Sequence, residues 1–294
     1  MLCPTCRTAI PDIARFCPEC GAALARVVPA PDPIEPETSR EPAEPARAPT
    51  PSGTPKLLIA QKTLKEVIAL VRCAMAQQDN AHPSNGMQFV IDADALRVAA
   101  TDGRRVALAS RPIATNGIAR QEFIVPRHTI IALAQGLAHD DRPVEIACSA
   151  HQVAFEFGGS TLVAKPMEGR FPDVGGVIPK HPAKPIALPR AALQQGLQRL
   201  AAGSSDTGRG VRWAFAPGRL TISGTGPAPR AEVIEIDYAG EPLEIGFNAD
   251  YLLDLLASLE EDIVECSLGG ATTPGVFQMA GRDDFKYVLM PIRL

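Results

Sequence analysis

Aromatic side chains are scarce. Trp, Tyr and Phe together make up 5% of the 294 residues, with a single Trp, so the cores of this chain are expected to be mainly aliphatic. Positive charge is not in excess either: 29 Lys and Arg stand against 33 Asp and Glu, a formal net charge of -4. That excludes a uniformly basic nucleic-acid binder, though not a basic patch on an acidic body. No apolar run approaches the roughly 20 residues of a membrane-spanning helix. Met1-Leu2-Cys3-Pro4 does not open a basic-then-apolar leader. The expectation is a soluble cytoplasmic protein without a membrane partner. Catalytic constellations are also missing. There is no phosphate-cradling Gly-rich loop, no nucleophile elbow and no carboxylate cluster at metal-binding spacing. His82, His128, His139, His151 and His181 are isolated in sequence. The chain reads as a non-enzyme.

What it does have divides into three regions. Residues 1–26 hold Cys3, Cys6, Cys17 and Cys20. Residues 27–56 are of low complexity, with nine prolines between Pro29 and Pro55. Such a segment buries too little apolar surface to offset its ordering entropy, and proline biases it to extended conformations, so it reads as a semi-rigid tether. From about Lys56 onward the chain is globular. Hydrophobic residues at 46% and charged residues at 21% suit packed domains.

The first four cysteines are spaced as C-x2-C, ten residues, C-x2-C. Four thiolates satisfy tetrahedral zinc and leave no open catalytic position. Pro4 and Pro18 pre-set the tight turns, and Gly21 permits a left-handed residue after the second pair. A structural zinc ribbon is the reading. Redox dithiols or free thiols are the alternatives. With only Arg7 and Arg15 as cations in its loop, the ribbon suits DNA and protein docking equally. Cys73, Cys148 and Cys266 are scattered in apolar contexts and read as ordinary core thiols.

The globular part is an internal duplication with a period of about 120 residues. Each half opens with a helical stripe: Leu64, Val67, Ile68 and Val71 in one, Leu193, Leu197 and Leu200 in the other. A strand pair follows, Met87–Ile91 with Leu96–Ala100 against Val211–Phe215 with Leu220–Ser223. A second helix comes next, around Thr129–Leu133 and Tyr251–Leu256, and more strands close each half. The fold class is α+β: two similar domains, 57–182 and 183–294, each with antiparallel sheets and two helices.

Several strings within these halves resemble one family in order along the chain. Asn85-Gly86-Met87-Gln88-Phe89, Ala100-Thr101-Asp102-Gly103-Arg104-Arg105-Val106-Ala107, Val125-Pro126-Arg127 and Glu168-Gly169-Arg170-Phe171-Pro172-Asp173 resemble the middle domain of the bacterial DNA polymerase III beta subunit, the sliding clamp. Arg209-Gly210-Val211-Arg212, Glu244-Ile245-Gly246-Phe247-Asn248 and Tyr287-Val288-Leu289-Met290-Pro291-Ile292-Arg293-Leu294 resemble its last domain. The family's first domain has no counterpart, and ribbon and tether stand in its place.

The resemblance implies a groove for short apolar peptide motifs of polymerases and other clamp partners. Carried over, it is formed by Thr101, Gly103, Arg104, Arg105, Val106, Pro172, Val177, Val288, Met290, Pro291, Ile292, Arg293 and Leu294. Read alone, Asp102-Gly103 is equally a hairpin turn, and Met290-Pro291-Ile292 can simply end a core strand. Ser84, Ala81 and Gly175-Gly176 depart from the family's pattern, which retunes or weakens the groove. The resemblance also implies non-sequence-specific contact of helices with double-stranded DNA. Lys62, Lys65, Arg72, Arg127, His128, Arg190 and Arg199 are the candidate phosphate contacts. This is a thin set, and each charge has a plain solvated helix face as its alternative.

Three functions compete: a DNA-encircling processivity clamp on the nucleoid, a non-encircling adaptor that binds clamp-partner peptides or a full-length clamp, and a zinc-ribbon regulator built on a clamp fold. If two domains replace three, a six-domain ring becomes a homotrimer. The cysteine spacing makes a separate prediction, of one zinc per chain. Metal analysis should find it, and Cys17→Ser with Cys20→Ser should remove it without unfolding the globular part; zinc retained by that variant contradicts the ligand set.

Overall fold

The computed structural model describes residues 56–293, apart from 78–81, 93, 116, 180–182, 203–209 and 226–229. Cys3, Cys6, Cys17, Cys20, the tether up to residue 55, Ala81, His181 and Leu294 lie outside the described residues.

Two runs of ten elements follow one another in the same order. The first is β1 (Lys56–Ala60), α1 (Gln61–Val71), β2 (Gly86–Asp92), β3 (Ala95–Thr101), β4 (Arg105–Pro112), β5 (Gln121–Pro126), α2 (Arg127–Gly136), β6 (Pro143–Cys148), β7 (Val153–Phe157) and β8 (Ser160–Ala164). The second is β9 (Ile186–Pro189), α3 (Arg190–Ala201), β10 (Gly210–Ala216), β11 (Arg219–Gly224), β12 (Ala231–Glu235), β13 (Leu243–Asn248), α4 (Ala249–Ser258), β14 (Ile263–Ser267), β15 (Gly275–Met279) and β16 (Phe285–Leu289). The duplication is therefore complete, element for element.

Each helix buries one stripe at three- and four-residue spacing: Leu64, Val67, Ile68 and Val71 on α1, Leu193, Leu197 and Leu200 on α3. The few aromatics gather at the centres. Trp213 is fully buried and meets Phe215, Phe247 and Phe277 edge-on at centroid distances of 6.0, 5.4 and 6.1 Å. In the first repeat Phe89 stacks on Phe123 at 5.5 Å and meets Phe155 edge-on at 6.2 Å. Scarce rings placed at the middle of each core supply much of its area, so the cores are less purely aliphatic than the composition implies.

Among the described residues the strands form three antiparallel sheets. Two have four strands, in the orders β1-β6-β7-β8 and β12-β11-β10-β13. The third has eight, in the order β5-β2-β3-β4-β16-β15-β14-β9, and crosses from one repeat into the other. Its seam is the antiparallel pairing of β4 with β16, from Arg105 opposite Leu289 to Ala109 opposite Phe285. Both repeats fall within one compact unit.

Charge clusters close both ends of the seam. At one end Arg111 Nη1 donates to Asp284 Oδ2 at 2.6 Å, and Arg282 bonds both Asp284 and Glu261. At the other end Arg105 reaches from β4 into the second repeat. Its Nε donates to Asp102 Oδ2 at 2.9 Å, its Nη1 donates to Asp254 Oδ2 of α4 at 2.7 Å, and its guanidinium lies 4.1 Å over the Tyr251 ring. Burial opposes the Arg105 charge, but the Tyr287 hydroxyl and the two carboxylates outweigh it and hold the guanidinium firmly protonated. Tyr287, fully buried, donates its hydroxyl to the Tyr251 carbonyl at 3.1 Å.

Removing one partner of a buried ion pair typically costs about 3–5 kcal/mol. The Arg105 side chain is 2% exposed but that of Asp254 is 45% exposed, so screening trims the figure. Arg105→Ala should destabilise the chain by about 2–4 kcal/mol in urea denaturation. Arg105→Lys, which keeps charge without the planar fork, should lose less. A loss below about 0.5 kcal/mol for the alanine variant would show that the seam does not depend on this residue.

Candidate functional site

The seam carries a second, smaller apolar cluster: Ala99, Val106, Ile124, Phe171, Val174, Val276 and Val288, with Leu108, Met167 and Ile178 partly buried against it. Val106 and Val288 are directly opposite each other across the seam. They come from different repeats, so neither repeat builds this surface alone. The segment joining the repeats contributes to it: the Met167 amide donates to the Ile124 carbonyl at 2.9 Å, and Phe171 and Val174 belong to the cluster.

Among the described residues the sequence-derived groove positions differ in exposure. Thr101, Arg105, Val106 and Val288 are buried. Gly103, Arg104, Pro172, Val177, Met290 and Arg293 are exposed, with Val177 at 39% and Met290 at 44%. Val177 follows Val174 by three positions and Met290 follows Val288 by two, so exposed apolar side chains stand close along the chain to members of the cluster. The hairpin between β3 and β4 is fixed from within. Asp102 Oδ1 accepts the amides of Arg104 and Arg105, the Thr101 hydroxyl donates to the Arg105 carbonyl at 2.8 Å, and Gly103 takes φ 85°. The Met290 amide donates to the Arg104 carbonyl at 2.9 Å, which ties hairpin to tail.

Beyond Met290 the tail leaves the seam. The Ile292 amide donates to the Gly246 carbonyl of β13 at 2.8 Å. A Cβ on Gly210 would lie 2.9 Å from Ile292 Cδ1, so glycine there makes room for the tail. Pro291 and Ile292 are half-buried. A cavity of about 530 Å³ includes Pro172 and is lined from both repeats, with Arg97, Arg120, Arg170 and Lys286 set among Glu122, Asp173, Asp283 and Asp284.

The departures from the family's pattern also have structure. Ser84 is half-buried, and its hydroxyl is 2.8 Å from His82 Nδ1. Gly175 and Gly176 are exposed, with their amides on Asp173 Oδ1. Sequence reasoning did not single out Phe171, Val174, Val276, Leu108 and Ile178, which the structure gathers in or against this cluster. Arg105, one of the expected groove residues, has its side chain buried at the seam and bonded to Asp254 of α4. Phe171 does sit in a quoted string, beside Pro172, but nothing in the string signals which residue faces inward.

The candidate DNA contacts lie in or beside α1, α2 and α3. Lys62, Arg72 and His128 are exposed and have no partner among the described residues. Lys65 donates to the Leu137 carbonyl at 2.6 Å, Arg127 to the Ala76 carbonyl at 3.4 Å and Arg190 to the Glu261 carbonyl at 2.7 Å. Arg199 makes a two-point pair with Glu232 at 2.9 and 2.8 Å. The exposed positions of α3 are otherwise Ala191, Ala192, Gln195 and Gln198. The helices therefore offer few unengaged cations. Among the described residues no thiol is activated either: burial pushes Cys73 and Cys148 up to about 11 and Cys266 higher still.

Family models for the DNA polymerase III beta subunit match residues 58–173 (central domain) and 176–293 (C-terminal domain), and a zinc-ribbon model matches residues 2–24. A beta sliding clamp of Pseudomonas putida is 37% identical over 238 residues, 80% of this chain and 65% of that protein. The crystal structure of the DNA polymerase III beta subunit from Pseudomonas aeruginosa superposes with a TM-score of 0.79 at 34% identity, covering 84% of this chain and 69% of that one. A Pseudomonas aeruginosa sliding clamp bound to griselimycin gives 0.78 at 34% identity, covering 84% and 68%. The chain thus spans about 65% of the length of the Pseudomonas putida relative. It belongs to the DNA polymerase III beta subunit, or sliding clamp, family through that family's central and C-terminal domains.

Proposed function

We propose that this chain is a sliding-clamp subunit. It tethers polymerases or other proteins bearing clamp-binding motifs to duplex DNA, in the cytoplasm and on the nucleoid, and performs no chemistry itself. The observation that carries the reading is the apolar cluster of Val106 and Val288, built jointly by the two repeats, with exposed Met290 and Val177 close along the chain to Val288 and Val174. A flexible thioether at the rim suits peptides of varied sequence. That a related clamp takes griselimycin supports a ligand-binding face in this family. Gly103, Arg104, Pro172 and the tail from Pro291 to Leu294 complete the groove, with Thr101 and Arg105 holding its hairpin in shape.

Lys62, Arg72 and His128 are the foremost phosphate contacts in this reading. Lys65, Arg127, Arg190 and Arg199 contribute only by releasing present partners. A clamp holds DNA topologically, so so few cations are tolerable. With two such domains per chain, a six-domain ring takes three copies. The four cysteines match structural zinc in donor type and number, and zinc there would fold the ribbon rather than catalyse. The near-neutral helix faces keep a second reading alive, in which the chain is a non-encircling adaptor aimed by its ribbon.

A polymerase peptide with a clamp-binding motif from the same organism, fluorescently labelled, provides the test. Deleting Met290 to Leu294 should weaken its binding at least about tenfold, the loss of roughly 1.4 kcal/mol. Unchanged affinity refutes the groove. Binding of the wild type at nanomolar affinity together with no retention on DNA favours the adaptor.

A further inference from the structure

The face of the seam that carries the apolar cluster continues past it. Directly opposite residues of an antiparallel pair share a face, and so do residues two apart along a strand. Val106 opposite Val288 is therefore followed on the same face by Leu108 opposite Lys286, about 7 Å farther along the strands. This second pair lines the cavity of about 530 Å³. Ala99, Leu108, Phe171 and Val174 belong both to the cavity lining and to the cluster or its border, so cluster and cavity are continuous.

Most of the charge in that lining is already met within the chain. Glu122 accepts from Gln88 at 2.7 Å and from Arg120 at 3.2 Å, and Arg97 pairs with Asp92. Asp173 accepts the amides of Gly175 and Gly176, and Asp284 accepts from Arg111 and Arg282. Arg170, Lys286 and Asp283 are left, with no side-chain hydrogen bond or ion pair among the described residues. Two cations thus stand against one carboxylate. Arg170 and Asp283 are exposed, whereas Lys286 is half-buried, where salt screens a counter-charge less than at the open surface.

We propose that the peptide groove extends into this cavity, and that the extension takes an acidic side chain, Asp or Glu, flanking the apolar residues of a partner's peptide. The inference rests on the groove reading, to which it adds the charge of the partner. An extended peptide advances about 7 Å for every two residues. That is the step from Val288 to Lys286, so an acid two or three positions from an apolar residue seated on the cluster comes to the Lys286 ammonium. Arg170 adds a planar fork that suits a carboxylate. Leu108, in the cavity lining beside Lys286, offers apolar contact to the peptide between its two anchors. Charges placed in this way choose among partners more than they raise affinity for all of them.

Two labelled peptides and one double variant of the full-length chain decide it. The peptides share one clamp-binding motif from a polymerase of the same organism. One carries Glu on both sides of the motif, and the other carries Gln at the same positions. The wild type should bind the Glu peptide about fivefold more tightly at low salt, the scale of one or two partly exposed ion pairs, and the advantage should shrink as salt is added. Lys286→Gln with Arg170→Gln should abolish the advantage and leave the affinity for the Gln peptide unchanged. That peptide is therefore also the check that the variant is folded. Equal binding of the two peptides by the wild type, or an advantage that survives in the double variant, overturns the proposal and spares the groove. A wild type that binds neither peptide overturns both.

Discussion

The antiparallel seam between β4 and β16 is the constraint on which the rest of the molecule depends. It fuses the four-stranded units of two repeats into one eight-stranded sheet, so the repeats cannot rotate against each other without breaking backbone hydrogen bonds. Its two ends are pinned by different chemistry. Asp284 with Arg111 and Arg282 is a partly exposed network, in which Arg282, then Arg111, holds the Asp284 carboxyl below its usual range. Arg105 with Asp102, Asp254 and the Tyr251 ring is buried on its cationic side. At both ends a largely buried arginine, Arg105 or Arg111, meets a partly exposed carboxylate, Asp254 or Asp284, so both ends fasten the seam.

From the seam follow both candidate surfaces. On one face Val106 and Val288 meet and the segment joining the repeats lays Phe171 and Val174 beside them. On the other, α1 packs against α2 and α4, and α4 against α3, so the helices gather into one layer. Arg105 touches both sides: its hairpin carries the candidate groove residues Gly103 and Arg104, and its guanidinium holds α4 through Asp254. The shape of that hairpin and the position of a helix on the opposite face thus share one side chain.

Much of this was legible in the sequence. The helical stripes, the strand pairs after Gly86 and Gly210 and the duplication followed from local periodicity, because each side chain's burial there is set within its own element. Helix starts were harder to read. α1, α2 and α3 have no side-chain cap, whereas Asn248 caps α4, accepting the amides of Asp250 and Tyr251. Long-range partners were not legible. Arg105 and Asp254 are 149 residues apart, and Arg199 meets Glu232 33 residues away. No pattern in one sequence says that the first is a buried pin or that the second is neutralised. Groove positions came from resemblance alone, and resemblance names positions without saying which of them face inward. Arg105 and Phe171 both stand in the resembling strings, and only the structure shows that both side chains are buried.

The central claim is that the seam makes two repeats one body. Hydrogen exchange at the amides of Lys286 and Val288, which face β4, tests it most directly. The account predicts that they exchange only through global unfolding, as slowly as amides of the central strands β2 and β10, while the outward amides of Thr161 and Val233 exchange fast in dilute protein. If Lys286 and Val288 exchange through a low-energy opening that leaves β2 and β10 protected, the two repeats are separable bodies and the account is wrong.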